Sequence, residues 1–589
     1  MVNSEREIAL NAAGKIALAA LIALPFLFPF AEGPSVNVQQ QLATWCCVAL
    51  LSGLAPTRLP SRPLIAWLAT TALAVVLGHG HDIPLAAATA FALAMVGMVA
   101  GVGAGMACPG SPAPWAWALF AAGLLSAALG LLQYYGLADA LVPWTTAPEP
   151  GQAYGNLRQR NQFASLVSMA LIAALWLHAV HGRRVRAALA PGALLLVVAA
   201  AAATSRTGLL QLLLIAGISA FLAWRERRRG SARPPQLPHP LVLVALVLAY
   251  FIASWLLPEL AGAGVEGMLE RLRDGAPDAH SRLVLWRNVI DLIARHPWAG
   301  WGWGELKFAH YSTLYAGPRF VEILDNAHDL PLHLAVELGI PAALLVCGGF
   351  GWLVLAARPW RETDPARLMA WGLLAVIVLH SLLEYPLWFG PFQLVFGLCL
   401  GFLWPGPAAA RRSPRILPLA ARAVPMTCAL ALLAVVGYAA WDYTRVSQVY
   451  LARDQRLPAY RDDPLGQAQR SWLFQDPVAF ARLTLTPVSQ ANAAALHALA
   501  QQVLHFSPEP SVIVRLIDSA ALLGEDDEAV AQAVRFKAAF PREYGRWIAG
   551  LPLADDAAEQ APGSGASSGC WRYIPLTRSP ADEPDPTHA

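Results

Sequence analysis

Long apolar runs, nearly free of charge and each about 16–25 residues in length, recur from the start of this chain to about position 440. A helix needs about 20 such residues to cross roughly 30 Å of hydrocarbon. Apolar runs set against polar breaks give about thirteen candidate spans, near 12–31, 41–56, 63–79, 84–105, 114–137, 162–180, 188–203, 207–224, 240–257, 339–357, 367–383, 387–404 and 416–440. Composition agrees: 56% of residues are hydrophobic and 14% charged, against about 25% charged in soluble globular proteins. A soluble enzyme and a disordered chain are both excluded. The expected fold class is an all-α polytopic membrane protein with a large loop and a soluble helical domain at its C-terminus.

Orientation follows from the arginines, because cytoplasmic loops retain positive charge. Arg58 and Arg62, then Arg183, Arg184 and Arg186, then Arg225, Arg227, Arg228 and Arg229 fall on one side if the spans are right, as do Arg358 and Arg361, and Arg411, Arg412 and Arg415. That side is read as cytoplasmic. The loop around 138–161, the connection Thr204–Ser205–Arg206, the polar segment from Pro258 to Asp329 and the tail after Trp441 then lie outside. The first apolar stretch lacks a small-x-small exit and reads as a retained span, not a cleaved signal. The expected organisation is membrane helices over 1–257, an outer loop over 258–338, further membrane helices over 339–440, a helical domain over 441–560 and a disordered tail over 561–589.

The tail holds amphipathic stretches such as AAALHALAQQVLHF and EAVAQAVRFKAAF. These read either as tetratricopeptide-like helix pairs or as a small bundle. A net charge of +3 gives no argument for nucleic acid. The seven cysteines form no metal or disulfide framework.

Candidate chemistry gathers on the outer face. Arg206, in TSRTG, is either an interfacial helix cap or a guanidinium fork for phosphate oxygens. In YGNLRQRNQFA, Arg158, Gln159, Arg160 and Asn161 offer the donors that a sugar or pyrophosphate needs, or simply cap a membrane helix. Arg282 shares a helical face with Trp286. The Gly300–Gly304 G-W-G-W-G run lacks the context of a phosphate loop and is expected to pack at the interface. In NAHDLPLHLAVELG, Asp329 is an expected N-cap and Pro331 fits a first turn, with His333 and Glu337 four apart on one face. Asn326 and His328 precede that helix, and a histidine there is a candidate general base. No zinc spacing is present, so no metal is expected at this site. His380 and Glu384 are expected on one helical face at the outer end of a span, with Tyr385 beside them.

NLRQRNQFA, TSRTG, the R-x-x-x-W of Arg282 to Trp286, HPWAGWGWG, NAHDLPLHLAVELG and HSLLEYPL, in this order, resemble the bacterial protein O-oligosaccharyltransferases, or pilin glycosylation ligases, of the O-antigen ligase and polymerase superfamily. The resemblance covers about residues 140–400 closely and the tail more loosely. It implies transfer of a glycan from an undecaprenyl-diphosphate carrier in the outer leaflet of the bacterial inner membrane to a periplasmic acceptor protein such as type IV pilin. The partners it implies are that lipid-linked glycan, the acceptor and membrane lipid. It gives His328 the role of the essential loop histidine, Arg206 and Arg282 the diphosphate, and Gln159, Asn161 and Tyr385 polar positions of the protein-glycosylating branch. Arg158, Asn326, Glu337, His380 and Glu384 complete the expected substrate-binding set. Arg160 stands where proline is expected and Gln162 where histidine is frequent. The expected reaction is inverting and independent of metal and cofactor. Alternatives are an O-antigen ligase acting on lipid A–core, a glycan polymerase and, outside the class, a secondary transporter.

Overall fold

The computed structural model describes residues 12–31, 33–35, 37–54, 60–78, 112–228, 236–262, 267–268, 271, 273, 281–405, 419–551 and 553. Among these residues every regular element is a helix, apart from one isolated bridge between Pro60 and Pro405. Its helices are α1 Ala12–Leu27, α2 Val38–Leu54, α3 Arg62–Leu77, α4 Ala113–Tyr134, α5 Arg160–His181, α6 Arg183–Ala202, α7 Arg206–Arg228, α8 Pro240–Ala261, α9 Arg282–Arg295, α10 Leu306–Ser312, α11 Leu330–Leu338, α12 Ile340–Ala343, α13 Gly349–Ala357, α14 Pro365–Ser381, α15 Gly390–Leu403 and α16 Leu419–Ser447. In the tail follow α17 Pro464–Ala468, α18 Gln475–Leu485, α19 Ala493–Phe506, α20 Pro510–Leu523, α21 Asp526–Ala539 and α22 Pro541–Ile548.

Helices occupy twelve of the thirteen expected spans, and the one near 84–105 lies outside the described residues, as does the expected disordered tail over 561–589. By length and composition, seven of the described helices are apolar enough to cross a membrane. α12 and α13 form one of these with the π-helical turn Leu344–Gly348 between them. The Trp67 indole on α3 donates to the Val346 carbonyl in that turn at 2.9 Å.

α5 sits at the centre of the bundle, packed by α4, α6, α7 and α14. It is apolar on all sides, so every face can be buried. α7 and α8 instead present Leu214, Ile218 and Phe221, and Leu241, Leu248 and Ile252, outward. In a bilayer those side chains face lipid at no cost, since lipid tails are as apolar as leucine.

Connectivity sorts the helix ends. The starts of α5 and α7 and the ends of α6 and α14 lie together at one end of the bundle. The other end carries Arg186, Arg225, Arg227, Arg228, Arg358 and Arg361, at the opposite termini of those helices and their neighbours.

α16 runs two turns past the expected boundary near 441 and carries the tail with it. Asp442, fully buried, pairs with Arg445 at 2.9 Å and accepts from the Ser471 hydroxyl and the Trp472 and Leu473 amides. The tail helices α18 to α21 then stack in sequence around a core of their own, which includes Tyr311 from the loop.

Candidate active site

The site is built around one carboxylate. α14 ends at Ser381, so Glu384 lies beyond the helix, in the turn that follows. This corrects the expectation that His380 and Glu384 share a helical face. His380 stays inside the bundle, where its Nδ1 lies 2.9 Å from the Ser165 hydroxyl and its edge meets Phe392. Glu384 turns outward into the cluster.

Three residues from distant parts of the chain converge on that carboxylate. Oε1 accepts from Asn161 Nδ2 at 3.0 Å and from the Arg282 guanidinium. Oε2 lies 2.8 Å from His328 Nδ1. A carboxylate only accepts, so Nδ1 carries the proton and Nε2 presents the lone pair. Burial pushes the Glu384 carboxyl up, but His328 and Arg282 outweigh it and hold the group down at about 2. The cluster therefore favours the anion. Arg282 is 40% exposed, and its Nη1 is buried without a hydrogen-bond partner among the described residues. Tyr385 packs edge-on against the His328 ring, with centroids 5.1 Å apart.

The network continues into the 204–206 turn. Asn161 Oδ1 accepts from the Ser205 hydroxyl at 2.6 Å, and Ser205 in turn caps α7 through the Gly208 amide at 2.9 Å. A side chain at Gly208 would strike Ala164, so glycine lets the start of α7 approach α5 closely enough for this contact. Arg206 is exposed and donates to the Arg271 carbonyl. Arg160 and Arg271 both direct Nη1 at the Thr204 hydroxyl, each at 3.5 Å. Several guanidinium groups thus line one rim of the cluster.

His328 stands on a braced loop. Its φ is +51°, a conformation that is costly for a non-glycine residue and persists only where the surroundings hold it. Thr204 and Arg158 share it, with φ of +47° and +56°. Asn326, buried, accepts the His328 amide at 2.9 Å. The Ala327 carbonyl takes the Trp286 indole N–H at 3.1 Å, and the Ala327 amide donates to His333 Nδ1 at 3.4 Å. Asp329 caps α11 through the Leu332 amide at 2.9 Å, as its position predicts.

Glu337 is not part of the open cluster. It is buried, 3.4 Å from His333 Nε2, and receives the amides of Gly304 and Leu306. Burial raises its carboxyl to about 8 and lowers His333 to about 3, so burial disfavours charge on both, and the pair anchors the inward face of α11. The tryptophan–glycine run forms the other wall. Trp301 and Gly302 donate to the Val336 and Glu337 carbonyls, both at 2.9 Å. Gly300, at φ +69°, lies where any side chain would strike the Glu337 backbone.

Gln159 caps α5 through the Gln162 amide at 2.7 Å. Arg158 donates to the Asn156 and Pro29 carbonyls. Both hold the local chain in shape. Of the residues singled out in the sequence, Asn161, Arg282, His328, Glu384 and Tyr385 form the cluster and Arg206 flanks it. Asn326, Glu337, His380, Gln159 and Arg158 support it. Ser205 and Arg271 were missed as site residues. A serine just before a helix start is a capping signal, but no local pattern marks Arg271.

Three family models match successive parts of the chain: "Protein glycosylation ligase" over residues 153–178, "O-Antigen ligase" over 191–347 and "Virulence factor membrane-bound polymerase, C-terminal" over 368–551. A curated relative, the "General O-oligosaccharyltransferase" of Acinetobacter baylyi, is 24% identical over 300 residues. Together these matches make the chain similar to the O-antigen ligases and O-oligosaccharyltransferases. The matched region spans 48% of this chain and 49% of that relative, about half of each. Asn161 lies within the glycosylation-ligase match, Arg206, Arg282 and His328 within the O-antigen ligase match, and Glu384 within the third, so the cluster draws on all three.

Proposed function

We propose that this protein transfers a glycan from undecaprenyl diphosphate to a serine or threonine hydroxyl of a protein acceptor, at the periplasmic face of the bacterial inner membrane. One observation carries the reading: His328 and Arg282 share one buried carboxylate, which Asn161 links to the 204–206 turn where Arg160, Arg206 and Arg271 gather. The arginines at the opposite end of the bundle support this orientation, since that end then faces the cytoplasm. On this topology the chain crosses the membrane thirteen times and the helical tail hangs in the periplasm, where it reads as an acceptor-facing domain.

In the reaction, the acceptor oxygen attacks the anomeric carbon as the bond from that carbon to the diphosphate oxygen breaks. The bonding pair leaves with the diphosphate, and the hydroxyl proton passes to His328 Nε2. Direct displacement inverts the anomeric centre. Glu384 steadies the imidazolium that forms, and the exposed part of the Arg282 guanidinium, with Arg206, meets the negative charge growing on the leaving group. Fixed donors at a developing charge contribute about 10²–10³-fold each in a poorly hydrated site.

The "O-Antigen ligase" match over 191–347 favours a second reading, with lipid A–core as acceptor. Expression in a host lacking its own ligases separates the two. Mass spectrometry of periplasmic and pilus proteins detects glycopeptides on the first reading, and lipopolysaccharide gains the glycan on the second. Neither product, with the glycan donor present, overturns both.

A further inference from the structure

Far from Glu384 in sequence, three side chains of the tail turn toward one another. His497 lies on α19, Glu525 is the N-cap residue of α21 and Glu528 lies in its first turn. His497 Nε2 is 3.4 Å from a carboxylate oxygen of each, and the three atoms all fall within 4.8 Å of one another. The helix dipole accounts for acidic residues at the start of α21. It does not account for two of them closing on a buried imidazole.

The hydrogen bonding sets the tautomer. Ser519 Oγ donates its one proton to a backbone carbonyl, that of Arg515 at 2.7 Å or of Leu516 at 3.0 Å. It therefore accepts from His497 Nδ1–H at 3.3 Å. A neutral imidazole then points the Nε2 lone pair at two carboxylates. The Gln501 amide lies 3.0 Å from Nε2 and 3.4 Å from Glu528 Oε1, but one neutral amide does not balance two anions. Turned over, that amide offers an oxygen to the same point.

We propose that His497, Glu525 and Glu528 form a binding site for a first-row divalent cation, Zn²⁺ being the best match. One imidazole nitrogen and two carboxylate oxygens are a zinc donor set, with Gln501 or water as fourth ligand. The Ser519 contact supplies the outer partner that ligating histidines use to fix their ring. The site ties α19 to α21, and these two helices grip α10. Phe308 stacks on His505 at 3.7 Å and Lys307 donates to the Phe506 carbonyl at 3.0 Å, while Tyr311 donates to Gln532 at 3.0 Å. A cation here fixes the spacing of the clamp on the loop that leads to His328.

The test uses full-length protein in detergent, stripped by chelator and titrated calorimetrically with ZnCl₂, alongside His497→Ala and the Glu525→Gln/Glu528→Gln double variant. Both glutamates are partly exposed, so the double variant keeps its fold even where His497→Ala does not. Wild type is expected to bind one equivalent more than the double variant, or to bind that equivalent about tenfold more tightly or better. Its thermal midpoint is expected to rise with Zn²⁺ while the double variant's does not. Equal stoichiometry, affinity and midpoint in wild type and double variant overturn the proposal and leave a protonated imidazole held between two glutamates.

Discussion

At Glu384 a single carboxylate serves a histidine, an arginine and an asparagine at once, and each of these depends on its charge. Glu384→Gln keeps the volume and loses the anion. We expect transfer to fall by about 10²-fold or more, because His328 loses the partner that sets its tautomer, and stability to fall by ~1–3 kcal/mol. Kinetics and thermal unfolding of the purified variant check both figures. The folded carboxyl is held at about 2, below its ordinary 4.5. The stabilisation it provides is therefore complete above about 4.5 and disappears only as pH falls toward about 2. Through neutral pH Glu384 stays charged, and changes of rate there arise from other groups. Little of this was legible in the sequence. Asn161 and Glu384 are 223 positions apart and Arg282 and Glu384 are 102 apart. No local spacing encodes such pairings. Histidine four residues before glutamate suggested one helical face, but the helix stops at Ser381 and the two residues part.

Among the elements, α11 shows where local rules succeed and where they stop. Asp329 and Pro331 mark its start, and the cap forms as the residue types require. The same helix places Glu337 on a face with His333, as spacing predicts, yet that face turns into the protein, away from the Glu384 cluster. Which side of a short helix is buried depends on the glycine–tryptophan wall packed against it. Glu337 provides a pH test. Its carboxyl is raised from 4.5 to about 8, so the folded state retains a proton that the unfolded chain releases. His333, lowered from 6.5 to about 3, contributes the opposite slope up to about 6.5, so stability should fall as pH rises from about 6.5 to about 8. Glu337→Gln should flatten that slope, read as the thermal midpoint across the range. At Gly300, substitution by alanine meets both a positive φ and the Glu337 backbone. We expect a cost of about 1–3 kcal/mol and faster hydrogen exchange over residues 326–330, with α18 to α21 unchanged.

On the scale of the whole molecule, the apolar runs led directly to the helix positions, because hydrocarbon thickness sets helix length. The segment 84–105 lies outside the described residues. The docking of the tail was not legible, because it rests on side chains contributed by both partners, such as Tyr311 and Gln532. Asp442 joins the last membrane-side helix to the tail through a buried ion pair and three further acceptor contacts. Asp442→Asn leaves Arg445 buried without its anion, a change that costs about 3–5 kcal/mol. Limited proteolysis should then release the tail from α16 earlier than in wild type. The central claim concerns the Glu384 cluster, and reconstitution tests it most directly. Purified wild type and His328→Ala are placed in liposomes with an undecaprenyl-diphosphate-linked glycan and an acceptor protein, and glycosylated acceptor is measured over time. The account predicts steady glycoprotein formation by wild type and a rate at least about 10²-fold lower for the variant, with its fold intact by circular dichroism. Undiminished transfer by His328→Ala would contradict it.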